Sequence, residues 1–82
     1  MKTFNLVFND KNDGKIILHI QANNAISAIR KEASEGDKDI NEINGASLPK
    51  AILSYNTLFE NEIATGYNAT LLKVYEKKDF LV

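Results

Sequence analysis

The chain has 82 residues, a length that accommodates one domain with a single modest core and leaves little volume for a deep pocket. Ten basic residues against eleven acidic ones give a net charge of −1, so no whole-chain field recruits a nucleic acid or an anionic membrane. The absence of cysteine excludes disulfides, thiolate metal ligands and a thiol nucleophile, and it fits a reducing cytoplasm.

From Lys2 to Asn9 the residues Phe4, Leu6 and Phe8 share one face, with Thr3, Asn5, Val7 and Asn9 on the other. That is the two-residue period of a half-buried strand. It repeats from Lys15 to Ala22, with Ile16, Leu18, Ile20 and Ala22 inward and Ile17, His19 and Gln21 outward. The intervening Asn9–Gly14 segment is rich in residues that tolerate positive φ or bond their own backbone, which predicts an antiparallel hairpin. This alternation also departs from the unbroken apolar run of a signal peptide or membrane span, so the expectation is a cytoplasmic protein without membrane association.

Asn23 or Asn24 is placed to cap a helix whose apolar positions are Ala25, Ile26, Ile29 and Ala33, with Gly36 placed to end it. Its small inner face suits a close approach to the sheet, with Phe4, Phe8 and Leu18 supplying volume. Residues 37–47, with Ile40, Ile43 and an Asn44-Gly45 turn signal, read as a connection or one short irregular strand. Over 48–64, Leu48, Ala51, Ile52, Tyr55, Leu58, Phe59 and Ile63 fall in one helical arc, with Ser47 as cap, Pro49 in the first turn and Gly66 as stop. Leu53 and Glu62 are misfits in that arc, and a strand over Lys50 to Tyr55 is the competing reading. Thr70 to Lys77 returns to strand alternation, with Leu72 and Val74 on one face and Leu71, Lys73 and Tyr75 on the other. The chain then ends on Asp79-Phe80-Leu81-Val82, whose apolar residues either dock on the core or meet a partner.

The expected architecture is therefore a single α+β domain over 1–82: an antiparallel sheet of about three strands in one layer with two helices, in the order β-β-α-(β)-α-β. Three such strands leave Thr3, Asn5, Val7, Ile17, His19, Leu71, Lys73 and Tyr75 opposite the first helix. The second helix is expected to cover that face; otherwise it is a partner or dimer surface.

Patterns that carry chemistry are sparse. Asp10 to Gly14 resembles a calcium loop only superficially, since glycine comes fifth and Gln21 stands where the twelfth-position glutamate belongs. His19 is the only histidine and reads as a strand residue on the outer face. Glu60 and Glu62 diverge by about 200° on a helix and cannot act as a pair. The four glycines are scattered and form no phosphate loop, and Asn68-Ala69-Thr70 matches a glycosylation acceptor that matters only in a secreted chain. Tyr75 with Lys73 and Lys77 suggests base stacking on a sheet, but one aromatic and a negative total charge weigh against direct nucleic-acid binding.

Charge is unevenly spread. Residues 31–66 hold three basic residues against seven acidic ones, concentrated at Glu32, Glu35, Asp37, Asp39 and Glu42. Such a run is either a solvated helix end and loop or a surface that steers a basic partner.

The opening of strand, Asp-Gly turn, strand ending Ile20-Gln21-Ala22-Asn23-Asn24-Ala25, and helix with Ala28, Ile29 and Ala33 resembles many small proteins of phages and mobile elements. Some of these are anti-CRISPR inhibitors. The likeness covers about residues 2–35 and extends equally to half of a ferredoxin-like domain; ten asparagines and nine isoleucines accord with an A/T-rich genome. The resemblance implies a non-enzymatic binding module that needs no cofactor or metal and occludes a functional surface on a larger protein, such as a nucleic-acid-binding complex. Glu32, Glu35, Asp37, Asp39 and Glu42 would then be the electrostatic contact, with Tyr75 as an aromatic anchor. The alternative is a homo-oligomeric structural or regulatory protein, dimeric through the outer sheet face.

Overall fold

The computed structural model describes residues 1–60 and 69–78. Strand β1 (Lys2–Asp10) and strand β2 (Gly14–Ala22) form the expected hairpin, pairing antiparallel from Lys2 opposite Ala22 to Asp10 opposite Gly14. The loop Lys11-Asn12-Asp13 is closed by the Asp10 carboxylate, whose Oδ1 accepts from the amides of Asn12 at 2.8 Å and Asp13 at 3.1 Å. Gly14 leaves the loop at φ 76°, where a Cβ would be strained.

Helix α1 (Ala25–Glu35) starts at Asn24, whose Oδ1 accepts from the Ser27 amide at 2.8 Å. Its end differs from expectation in one respect. Gly36 is not left-handed (φ −90°); Asp37 is, at φ 60°. The amides of Lys38 and Asp37 donate back to the carbonyls of Ala33 and Ser34, both at 3.0 Å, which is the Schellman closure with aspartate in the place usually held by glycine. Gly36 serves packing instead, because a Cβ there would lie 2.9 Å from the Phe59 ring.

Residues 37–47 contain no strand; a single 3-10 turn at Ile40–Glu42 replaces the one that was optional. The segment is tied down by Ile43, 2% exposed, and by the Arg30 guanidinium, which donates to the Ile43 carbonyl at 3.2 Å. Helix α2 (Leu48–Leu58) excludes the competing strand over Lys50 to Tyr55 and is capped by Ser47 as expected. The expected helix residues beyond Glu60, the Gly66 stop, Glu62, Asn68 and the segment from Asp79 to Val82 lie outside the described residues.

Strand β3 (Ala69–Glu76) pairs antiparallel with β1, giving a three-stranded sheet in the order β2-β1-β3. The expected alternation of β3 is broken by a bulge: Val7 stands opposite Lys73 and Phe8 opposite Leu71, so Leu72 is an extra residue. Leu71 thereby turns inward and is 1% exposed, while Leu72 is 47% exposed, the reverse of the simple period.

Both helices lie on one face of the sheet. Phe4, Leu6, Phe8, Ile20, Leu71 and Val74 form one core cluster with Ala28, Ile29 and Ala33 of α1 and Ala51 and Tyr55 of α2. The expectation that the second helix covers the outer face is therefore overturned. Tyr55 packs between Phe8 and Phe59, with ring centroids 6.0 and 4.7 Å away, and the alanines of α1 let the helices meet closely.

Candidate partner-binding site

The sheet order leaves β2 and β3 as edges, and the chain treats them differently. On β3, the Asn56 carboxamide of α2 accepts from the Leu71 amide and donates to the Leu71 carbonyl, both at 2.9 Å. A side-chain amide thus stands in for a neighbouring strand at the bulge. On β2, the Lys31 ammonium donates to the Gln21 carbonyl at 3.2 Å. That bond fixes the direction of the β2 backbone. Gln21 points away from β1, and by the two-residue period so do His19 and Ile17. Among the described residues no backbone group pairs with them.

Beside this edge runs α1, leaving a groove of about 300 Å³ lined by Leu18, His19, Ile20, Gln21, Lys31, Glu32 and Glu35. Glu32 and Glu35 stand one turn apart on α1, so both carboxylates border the same groove. Burial, and secondarily the charge of Glu35, push the Glu32 carboxyl above its ordinary value. Among the described residues the one ion pair is Lys2 with Glu76 at 3.6 Å, so neither groove carboxylate is held in an ion pair with another described residue.

The other acidic positions diverge. Asp37 holds the left-handed position at the end of α1. Asp39 is partly committed to structure, its Oδ1 accepting from the Asn41 amide at 2.9 Å. Glu42 borders a separate groove on the outer side of α2 with Lys50 and the exposed Leu53. The acidic residues therefore form a belt from the β2 edge to α2, of which Glu32 and Glu35 share one groove.

Tyr75 is remote from this belt. It lies on the outer sheet face in the row His19, Asn5, Tyr75, next to the row Ile17, Val7, Lys73. His19 Nδ1 and Asn5 Oδ1 are 2.6 Å apart, and the Lys73 ammonium sits 5.6 Å from the Tyr75 ring centroid, occupying one side of the ring a base would stack on. Ile17, Leu72 and Tyr75 are exposed in the sheet.

The groove itself was not foreseen, because it requires knowing that β2 is an edge and that α1 lies beside it. The adjacency of Lys31, Glu32 and Glu35 on one helix was its visible trace. No family model matches the chain, and no curated protein or solved structure is significantly similar to it.

Proposed function

We propose that this protein is a binding module, acting without a chemical step, that covers a basic functional surface of a larger protein partner. The observation that carries this reading is the run of carboxylates Glu32, Glu35, Asp37, Asp39 and Glu42, mostly exposed and none of them in an ion pair with another described residue, beginning at an unpaired strand edge. Carboxylates so arranged steer a cationic surface and align it on contact. Nucleic-acid-binding proteins carry such surfaces, and a partner of that kind accords with the resemblance of residues 2–35 to small phage and mobile-element proteins, some of which are inhibitors. A reducing cytoplasm is the compartment that suits this reading.

The test is capture of a partner from bacterial lysate by the tagged chain, beside a variant carrying Glu35→Lys, Asp37→Asn, Asp39→Asn and Glu42→Lys. Asparagine keeps the left-handed position at 37 and the turn cap at 39, so the variant alters charge with least damage to structure. A stoichiometric partner lost by the variant supports the reading, and one retained at equal yield refutes it. Self-association is the second reading, favoured by the exposed Ile17 and Tyr75 that flank the buried Val7 and Asn5 on the outer sheet face and by the exposed Leu72 of the bulge. A clean dimer by light scattering, with no captured partner, would establish it.

A further inference from the structure

The unpaired edge of β2 and the groove beside it carry a more specific conclusion, which rests on the protein-binding reading. We propose that this edge takes an extended segment of the partner as a fourth strand, with an arginine or lysine side chain lying between Glu32 and Glu35.

Three observations converge on that occupant. The first is the backbone. The N–H and C=O groups of Ile17 and His19 and the N–H of Gln21 face away from β1 with no backbone partner among the described residues, and that row is what an added strand bonds. On the opposite edge Asn56 takes up Leu71 in mid-strand, whereas on β2 Lys31 takes up only the Gln21 carbonyl at its end, so β2 offers the longer uninterrupted row, from Ile17 to Gln21. The second is shape. Helix α1 flanks the edge and leaves a groove, so alternate side chains of an added strand enter it beside Leu18 and Ile20 while the others line up with Ile17, His19 and Gln21.

The third is charge. Side chains entering the groove meet Glu32 and Glu35, neither in an ion pair with a described residue, while Lys31 on the same groove is bonded to the Gln21 carbonyl; a guanidinium satisfies both carboxylates with directional bonds. A second copy fits less well: edge-to-edge pairing of two β2 strands brings Glu32 and Glu35 of both copies to one seam, where like charges repel. Two-residue alternation then sets a pattern for the partner segment. An apolar residue facing Leu18 and Ile20 and the basic residue stand two positions apart, with no proline opposite Ile17 to Gln21.

The probe is a display library of random nine-residue peptides selected on the full chain, followed by synthesis of the strongest peptide with and without backbone N-methylation at alternate positions. The expected result is enrichment of β-branched residues alternating with one arginine or lysine, and slowed amide exchange at Ile17, His19 and Gln21 on binding. N-methylation on the edge-facing positions should abolish binding, and methylation on the intervening positions should spare it. Glu32→Gln and Glu35→Gln should each weaken the peptide by about two- to five-fold, as loss of a partly exposed ion pair does. Ile17→Pro removes one edge-facing donor and should weaken it further; the N-methyl comparison decides the matter if that variant misfolds. Failure to enrich basic peptides, or protection of amides elsewhere with the β2 edge unchanged, overturns the proposal. If the captured partner still depends on the acidic belt while the edge amides stay unprotected, edge docking falls and the protein-binding reading stands. If neither peptides nor a partner bind, both fall.

Discussion

Replacing Asn56 by alanine tests whether the closed β3 edge is a real source of stability. The substitution removes two hydrogen bonds of 2.9 Å, one to the Leu71 amide and one to its carbonyl. At a net value of about 0.5–1.5 kcal/mol each, the loss is about 1–3 kcal/mol, from which alanine's better helix propensity returns roughly 0.5 kcal/mol. A net loss near 1.5 kcal/mol corresponds to a fall in Tm of about 6–12 °C for a chain of this size. Asn56→Asp separates the bonds from the packing. Its carboxylate still accepts from the Leu71 amide but now faces the Leu71 carbonyl with a second oxygen, so at pH 7 it should cost more than alanine does. Protonation supplies a donor to that carbonyl, so the folded state holds the proton more tightly than the unfolded state and the carboxyl pKa is raised. The deficit relative to Asn56→Ala should therefore shrink as pH falls through that raised value. Urea unfolding of both variants at pH 7 and pH 4 is the assay. A loss below about 0.5 kcal/mol for alanine, or an aspartate variant no worse than alanine at pH 7, refutes the reasoning.

Gly36→Ala should destabilise the chain by about 1–3 kcal/mol in urea unfolding, because the added methyl meets the Phe59 ring at 2.9 Å in a packed core. A neutral result would show that Phe59 yields freely. Asp37→Gly should stabilise by up to about 1 kcal/mol by relieving the left-handed position, and Asp37→Asn should change stability less, because asparagine shares aspartate's tolerance of that region. The raised Glu32 carboxyl makes folding hold a proton that the unfolded chain releases, so this group's contribution falls as pH rises from the ordinary value of 4.5 through the folded one. Glu32→Gln should thus raise stability at pH 7 by less than about 1 kcal/mol, with the gain vanishing on acidification; a variant less stable than the parent at pH 7 contradicts this.

The hairpin and the helix starts were legible because their signals are local. Period two over Lys2 to Asp10 and Gly14 to Ala22 sets the register once Gly14 closes the loop, and Asn24 and Ser47 each bond an amide three residues on. The bulge at Leu72 was not legible. Leu71 and Leu72 are chemically equivalent in the sequence, and what selects Leu71 for the core is a pairing with Phe8 and a bond to Asn56, fifteen residues away. The side chosen by α2 was hidden for a related reason. Its apolar arc needed a surface, and the alanines of α1 with Phe8 and Leu71 already offered one on the inner side, leaving the outer face to Asn5, His19 and Lys73 beside a buried Val7 and the exposed Ile17 and Tyr75. Of the candidate site, the acidic belt was visible as composition. Its division into a groove pair, a helix terminus, a turn cap and a distant carboxylate was not, because that depends on where α1 ends and how residues 37–47 return.

The position of Glu32 connects the fold to the proposed partner. Small residues at Ala28 and Ala33 bring α1 close to the sheet, and that proximity is what partly buries Glu32 beside β2. A glutamine there would keep the shape without the cost of a half-buried charge, whereas Lys31, the nearest cation on the groove, is turned onto the Gln21 carbonyl. The carboxylate therefore gains most when a cation enters from outside, and the strand edge beside it supplies the backbone groups that would hold that cation's chain in register. A cation bound there would compensate the desolvation that folding imposes on Glu32, so the burial that costs stability in the free protein would favour the proposed complex.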